Sequence, residues 1–298
     1  MPDITQQLAQ FAASSPVQFL SDPFPEPVSI RVYMKRDDLL HPLVSGNKWR
    51  KLKYNLLAAG EQGQATIMTF GGAYSNHLYA TAAAGRVFGF RTIGIVRGEE
   101  LASAPLNSTL QFCQQQGMQL HFVDRASYRR KEEPAFLDQL TGLFGPCYVV
   151  PEGGTNALAI RGTAEIMPEI ISQMGYTPDY VSCAVGTGGT VMGLAASAPS
   201  DTRVLGFLVL KAPDFQLPQR VNCQIRTEYH FGGYAKVSPV LLGFIRAFEQ
   251  KTGILIEQVY TGKMLYGIYD LARQGFFPAG ANIMAVHTGG LQGRSQLL

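Results

Sequence analysis

Three lysines and an arginine stand within six residues of one another in segment 41–60, which reads HPLVSGNKWRKLKYNLLAAG. A lysine does covalent chemistry when its amine is neutral, so the question is whether any of the three is held away from water. Helical spacing over this segment predicts one apolar stripe, made of Trp49, Leu52, Leu56 and Ala59.

The four basic residues stand at different angles to that stripe. Lys48 lies nearest its centre, about 60° away at 100° per residue. Lys53 lies at the margin, and Arg50 and Lys51 point well away, so Arg50 and Lys51 are predicted to face solvent. Lys48 could have a lowered pKa and form a Schiff base, or its stem could extend along the stripe toward water. The spacing leaves both interpretations open.

A glycine-rich turn in VSCAVGTGGTVMGLAA is a second candidate. Five residues join a predicted strand to a predicted helix: Gly186, Thr187, Gly188, Gly189 and Thr190. Their backbone N–H groups could surround a phosphate. The turn is not a Walker loop, and Val191 replaces the third glycine of a dinucleotide fingerprint, so a nucleotide is disfavoured. A small phosphorylated cofactor and a plain tight turn both remain open.

Two further polar turns follow predicted strands, at the edge of the sheet where ligands of open α/β sheets bind. In TFGGAYSNHLYA, Ser75 precedes a helical pattern whose first turn contains Asn76 and His77. Ser75 could cap this helix, and the helix start could also hold an anionic carboxylate. In ANIMAVHTGG, Thr288 stands where the last strand ends.

Composition narrows the class of protein. A length of 298 residues predicts one large or two medium domains, and 46% hydrophobic with 16% charged residues is typical of a globular chain. A net charge of +3 is too small to indicate a nucleic-acid binder. The histidines lack metal-ligand spacing, and the cysteines form no CxxC pair. We therefore expect no metal site and a cytoplasmic protein, since no signal peptide or membrane-spanning run is found either.

From residue 65 onward the chain alternates short apolar runs with helical patterns. The predicted strands are ATIMTF, RTIGIV, MQLHFV, CYVV, DYVSCAV, RVLGFLVL and ANIMAV. Helices are predicted near 75–88, 107–116 and 132–143 and after Gly189. Strands this apolar are typical of parallel sheets covered on both faces, so the predicted fold class is α/β and doubly wound. Segment 211–236 fits no periodic pattern and is predicted to be irregular.

The order of several motifs indicates a family. KRDDLL…SGNKWRKL, SNH, GTGGT, VYTGK and HTGG resemble, in order and approximate spacing, the D-cysteine desulfhydrase and 1-aminocyclopropane-1-carboxylate (ACC) deaminase family of fold-type II pyridoxal 5′-phosphate (PLP) enzymes. The resemblance implies PLP in a cleft between a large domain of residues 1–51 and 151–298 and a smaller inserted domain of residues 52–150, each with a largely parallel sheet. It also implies a homodimer.

The resemblance implies a role for each matched residue near the first two motifs. Lys48 would be the Schiff-base lysine. Ser75 would contact the substrate carboxylate or assist proton transfer. Asn76 would hold the ring hydroxyl of the cofactor, and Asn76 and His77 would join Ser75 in binding the substrate.

The later motifs complete the implied site. The turn Gly186–Thr190 would bind the phosphate, and Thr288 would lie beside the pyridine nitrogen. Tyr260 matches the tyrosine that stacks on the cofactor ring, and Tyr234 matches a second active-site tyrosine. Either tyrosine could supply protons near the leaving group.

Three positions favour one activity over the other. ACC deaminases carry Glu, Leu and Gln where this chain has Thr261, Thr288 and His77, and these choices resemble the desulfhydrases. The expected reaction is α,β-elimination on a small amino acid, D-cysteine to pyruvate, sulfide and ammonia. ACC deamination to 2-oxobutyrate and ammonia, and a non-catalytic PLP-binding protein, are the alternatives. HTGGLQGR and segment 211–236 depart from the family pattern near the expected substrate pocket. The resemblance therefore identifies the cofactor more closely than the substrate.

Overall fold

The computed structural model describes residues 4–10, 14–44 and 46–298. Its strands are β1 (Val17–Leu20), β2 (Arg31–Lys35), β3 (Thr66–Gly71), β4 (Arg91–Arg97), β5 (Met118–Val123), β6 (Tyr148–Val150), β7 (Tyr180–Val185), β8 (Arg203–Leu208), β9 (Cys223–Arg226) and β10 (Asn282–Val286). Its α-helices are α1 (Ile4–Gln10), α2 (Asn47–Glu61), α3 (Asn76–Phe88), α4 (Ser108–Gln115), α5 (Arg125–Arg129), α6 (Pro134–Phe144), α7 (Ala157–Ala164), α8 (Ile166–Met174), α9 (Gly189–Ser197), α10 (Pro239–Thr252) and α11 (Thr261–Arg273).

The described chain forms two compact units. The first contains His41–Val44 and Lys48–Gly162 together with α1. The second contains Ser14–Leu40, 46–47 and Thr163–Leu298.

The first unit is built on a parallel four-stranded sheet in the order β5-β4-β3-β6. Alternate residues of β4 enter different hydrophobic clusters: Ile93 and Ile95 pack with Phe70, and Val96 packs with Leu78. Because side chains alternate across a strand, both faces of this sheet are covered. That explains why its strands are nearly continuous apolar runs.

The second unit is built on a six-stranded sheet in the order β1-β2-β10-β7-β8-β9. All neighbours in it are parallel except β1 and β2. On β7, Val181 and Cys183 face one hydrophobic cluster, whereas Tyr180 and Ala184 face the other. The two largely parallel sheets confirm the predicted α/β class.

Neighbouring strands of the second sheet bring two of the predicted turns together. Strand β10 pairs with β7 in parallel, so their carboxyl ends meet at the same edge. The turn Gly186–Thr190 follows β7, and Thr288 follows β10.

Each of the seven predicted strands forms, but part of one prediction is wrong. Strand β9 lies inside segment 211–236, which the sequence predicted to be irregular. It pairs along β8 at the edge of the sheet, and its side chains Cys223 and Ile225 pack against one of the two hydrophobic clusters. Within the described residues, no helix is both long and apolar enough to cross a bilayer.

Candidate active site

The turn before Lys48 is fixed to both turns at the sheet edge. Gly46 has φ +65°, and a Cβ placed on it would lie 1.9 Å from the carbonyl oxygen of Thr288. The backbone N–H of Asn47 donates to that same oxygen at 3.2 Å. Its side-chain Nδ2 donates to Oγ1 of Thr190 at 2.9 Å. The residue that precedes Lys48 therefore bonds to both the GTGGT turn and the HTGG turn.

Lys48 lies in the first turn of α2 and is partly buried. Burial lowers the pKa of its amine to about 8, because a charged ammonium loses hydration there. A lysine with this pKa has an appreciable neutral fraction near neutral pH, which is the form that acts as a nucleophile.

Two of the other basic residues of α2 were wrongly predicted to face solvent. Arg50 and Lys51 are only 3% and 2% exposed. Lys51 Nζ donates to the Gly153 carbonyl and to Thr155 Oγ1, both at 3.0 Å. The predicted apolar stripe is buried, but α2 is covered on more than that one face. The buried charge of Lys51 is stabilised because it is hydrogen-bonded to acceptors from a segment far away in the sequence.

Ser75 is the N-cap of α3, as one of the two interpretations of its position predicted. Its Oγ accepts the backbone N–H of Leu78 at 3.2 Å. Since that bond uses only an oxygen lone pair, the hydroxyl hydrogen of Ser75 is still available as a donor. Asn76 is the first residue of the helix and is partly buried, at a helix start that favours anions.

His77 is buried and electrically neutral. Its Nε2 lies 2.8 Å from Thr69 Oγ1, and that hydroxyl donates to the carbonyl of Val150. Thr69 must therefore accept from Nε2–H, which leaves Nδ1 as a bare acceptor; this buried nitrogen has no hydrogen-bond partner among the described residues. Burial, and then the charges of Lys48 and Lys51, hold the pKa of His77 well below its usual value.

The GTGGT turn offers backbone N–H groups at the start of α9. Gly188 has φ +90° and is the N-cap of α9, and no side chain caps that helix. The N–H groups of the first helical turn have no partner within the helix, so they form a donor set suited to phosphate. Thr190 is buried and receives the bond from Asn47.

Two tyrosines of the second unit lie near that turn. A Cβ on Gly186 would come within 3.4 Å of Cε1 of Tyr260, so the ring lies against the start of the turn. The ring centroids of Tyr234 and Tyr260 are 6.2 Å apart in an edge-to-face arrangement. Tyr234 is 43% exposed.

His287 shapes the turn that carries Thr288. Its Nδ1 accepts the N–H of Gly289 at 3.2 Å, so its Nε2 carries the hydrogen and donates to the Leu255 carbonyl at 2.9 Å. Burial is the main reason why the pKa of His287 is lowered. Thr288 is 8% exposed at the end of β10.

The sequence patterns missed three residues that hold this arrangement. Asn47 bridges the two turns, and Lys263 is fully buried on α11. The carboxylate of Glu257 accepts the backbone N–H groups of Val259, Tyr260 and Thr261 at 2.6–3.0 Å. A carboxylate in the apolar run ILIEQVY was the one signal that could have drawn attention to Glu257.

A family model described as pyridoxal-phosphate dependent enzyme matches residues 13–219, about two thirds of the chain. The chain belongs to this family. Within it, this PLP-dependent enzyme is 31% identical to a candidate ACC deaminase from Pyrococcus abyssi, over 94% of this chain and 90% of that protein. It is 29% identical to the mitochondrial bifunctional D-cysteine desulfhydrase/ACC deaminase of Arabidopsis thaliana, over 90% of this chain and 74% of that protein.

Solved structures agree with the fold. The crystal structure of an ACC deaminase homologue matches with a TM-score of 0.82 at 28% identity, covering 98% of this chain and 96% of that one. A hydrogen sulfide-producing enzyme from Fusobacterium nucleatum matches with a TM-score of 0.68 at 14% identity, which shows the fold alone. This PLP-dependent enzyme therefore has the fold-type II architecture of the ACC deaminase and D-cysteine desulfhydrase group.

The residues present fit PLP. The start of α9 has no side-chain cap and is preceded by Gly188 with positive φ, so its backbone N–H groups form a cradle suited to the PLP phosphate. Tyr260 lies against that cradle and offers a ring face. The pKa of the Lys48 amine is lowered to about 8, as a cofactor-carrying lysine requires.

Proposed function

We propose that this enzyme catalyses α,β-elimination on D-cysteine. D-Cysteine and water give pyruvate, hydrogen sulfide and ammonia. Bound PLP would supply the electron sink that stabilises negative charge at the substrate Cα. Lys48, Ser75, Asn76, the turn Gly186–Thr190, Tyr260 and Thr288 would form the site in the roles that the resemblance gives them.

The state of His77 is the observation that carries the choice of D-cysteine. ACC deaminases carry glutamine here, whose amide brings both a donor and an acceptor. The neutral imidazole of His77 donates to Thr69 and keeps a buried bare acceptor at Nδ1. Both amino acids bring hydrogens on nitrogen, but only D-cysteine also brings an S–H hydrogen that such an acceptor can receive.

Thr261 supports the same choice on energetic grounds. Thr261 is buried and cannot carry the negative charge that a glutamate would place near the cofactor ring. A hydroxyl stabilises a protonated ring nitrogen less than a carboxylate does. Thiolate is a good leaving group, so its elimination needs less stabilisation of the carbanion than cyclopropane opening does.

Different side chains would transfer protons and bind the substrate carboxylate. The neutral fraction of the Lys48 amine takes the proton from Cα. Ser75 uses its hydroxyl hydrogen to bind the substrate carboxylate while its oxygen caps α3. Tyr234 or Tyr260 supplies a proton near the departing sulfur.

The name of the Pyrococcus abyssi relative favours a second candidate, ACC deamination to 2-oxobutyrate and ammonia, while the Arabidopsis thaliana relative is named for both activities. A panel of ACC and the D- and L-forms of cysteine and serine, scored separately for sulfide, pyruvate and 2-oxobutyrate, separates the two. Sulfide and pyruvate in equal amounts from D-cysteine are expected. Release of 2-oxobutyrate from ACC without sulfide from D-cysteine would replace our proposal by the second candidate, and a coloured protein without any product would make it a binding protein.

Two matched variants test the lysine. Lys48→Ala should lose both the yellow cofactor band and the activity. Lys53→Ala, on the same helix with its amine 5.0 Å from the Tyr54 ring, should keep both. A Lys48→Ala protein that keeps its colour and turnover would refute the role of Lys48.

A further inference from the structure

The turn that carries Tyr234 has an unusual backbone. Phe231 and Ala235 have φ values of +53° and +55°, and Gly232 and Gly233 have φ values of +93° and +124°. A left-handed conformation is unfavourable for a residue with a Cβ, so two such residues in five need contacts that hold them. We call residues 230–236 the Tyr234 turn.

Local hydrogen bonds account for part of this shape. The N–H of Gly233 donates to the His230 carbonyl at 3.0 Å, and the N–H of Lys236 donates to the Gly233 carbonyl at 3.1 Å. The N–H of Gly232 donates to Nδ1 of the His230 ring at 2.9 Å. These bonds close the turn on itself, but they do not attach it to the rest of the unit.

The attachment comes from Lys263. This side chain is 0% exposed, and its Nζ donates to the carbonyls of His230 at 2.9 Å and Gly233 at 2.8 Å. One buried ammonium group thus bonds the two carbonyls that also close the turn. Burial lowers the pKa of Lys263 to about 8, and the nearby Glu257 carboxylate opposes that lowering.

The same helix start places the second tyrosine. Lys263 follows Tyr260 by three residues, so both belong to the beginning of α11. Glu257 accepts the backbone N–H of Tyr260 at 2.9 Å and fixes that end of the helix. Tyr234 meets Tyr260 edge to face, 6.2 Å between ring centroids. The relative placement of the two rings therefore depends on the bond between Lys263 and the turn.

We propose that Lys263 is a positioning residue for the reaction: its buried ammonium group anchors the Tyr234 turn to α11 and so holds Tyr234 beside Tyr260. The inference rests on the proposed function, in which these tyrosines act near the leaving group. Lys263 touches neither substrate nor cofactor in this role. It acts through two carbonyl groups of the backbone.

The test compares Lys263→Met with Lys236→Met. Methionine keeps most of the buried stem and removes the three donors, whereas Lys236 is an exposed lysine of the same turn. Hydrogen exchange of the amides of residues 230–236 should accelerate at least about tenfold in Lys263→Met, since a charged hydrogen bond is lost. It should not change in Lys236→Met. The kcat should fall about tenfold or more in Lys263→Met, and the Kd for PLP should change less than threefold.

A rescue variant separates positioning from general damage. Glycine tolerates positive φ, so adding Ala235→Gly to Lys263→Met should restore part of the exchange protection of the turn. If Lys263→Met does not fold, Lys263→Gln, which keeps one donor group, serves in the same comparison with the same expected direction.

Two results would overturn the proposal. Exchange in residues 230–236 that stays within twofold of wild type would show that Lys263 does not anchor the turn. Faster exchange with unchanged kcat and KM would show that the anchor does not matter for the reaction. If the wild-type enzyme makes no sulfide from D-cysteine, the proposed substrate fails, yet the exchange measurement still decides the anchor and kinetics are measured on whichever amino acid is turned over.

Discussion

Replacing Gly46 by alanine should damage the protein far more than replacing Gly63. Both glycines have φ +65°, so alanine meets the same backbone penalty of about 1–2 kcal/mol at either position. At Gly63 the new Cβ has nothing within 4 Å, whereas at Gly46 it would lie 1.9 Å from the Thr288 carbonyl oxygen. The difference between the two variants therefore measures the contact alone.

The size of that difference follows from the geometry. Real Cβ atoms essentially never approach other heavy atoms closer than 3.0 Å, so the segment at Gly46 and the segment at Thr288 must move apart by about 1 Å. That separation breaks the bond from the Asn47 N–H to the Thr288 carbonyl, which contributes about 1 kcal/mol. Overpacking adds about 1–3 kcal/mol. We expect Gly46→Ala to lower the free energy of unfolding by about 2–4 kcal/mol more than Gly63→Ala.

The measurement is urea denaturation of the cofactor-free protein, followed by fluorescence of Trp49, the single tryptophan. A PLP titration of each variant should also show weaker binding only in Gly46→Ala. Equal unfolding free energies for the two variants, within about 0.5 kcal/mol, would refute the close packing of Gly46 on the HTGG turn.

Three further predictions address other residues. Because burial lowers the pKa of Lys48 to about 8, the rate at which the cofactor-free protein takes up PLP should rise from pH 7 to about 9 and then level off. Stopped-flow absorbance measures this rate, and a rate that keeps rising up to pH 10.5, the ordinary pKa of lysine, would contradict the prediction. Burial raises the pKa of Cys113 to about 12, so iodoacetamide at pH 8 should leave this thiol unlabelled until urea is added, as peptide mass spectrometry would reveal. Glu257→Gln replaces one carboxylate oxygen that accepts backbone N–H groups by an NH2 group that cannot accept, so it should lower the free energy of unfolding by about 2–3 kcal/mol. Glu61→Gln, at an exposed position, is the control and should leave that free energy unchanged. Equal stability of the two variants would contradict the Glu257 cap.

The sequence patterns predicted well the strands that are buried on both faces and the helix start that is set by a neighbouring side chain. The runs ATIMTF and DYVSCAV were recognisable because parallel strands covered on both faces consist of apolar residues throughout. The start of α3 was recognisable because the hydroxyl oxygen of a serine such as Ser75 can accept a backbone N–H of the first helical turn. The polar turns were recognisable because they follow these strands.

What the patterns could not provide are contacts between distant segments. Lys51 was predicted to face solvent because helical spacing assumes a single buried face, whereas its partners come from 153–155. Asn47 and Thr190 are separated by 143 residues, and no spacing rule relates them. The short edge strand β9 pairs with β8, and its four residues are too few to show a strand period in the sequence. The roles of individual site residues remain predictions for the variants described above.

The double attachment of Asn47 has a consequence for engineering the enzyme. Its backbone is bonded to the HTGG turn and its side chain to the GTGGT turn, and the amine-bearing Lys48 is the next residue along the chain. Three stretches that are far apart in the sequence therefore form a single module. A designer who grafts a loop from a relative to change the substrate must transfer residues 46–47, 186–190 and 287–290 together, because any one of them alone would arrive without the partners that set its position.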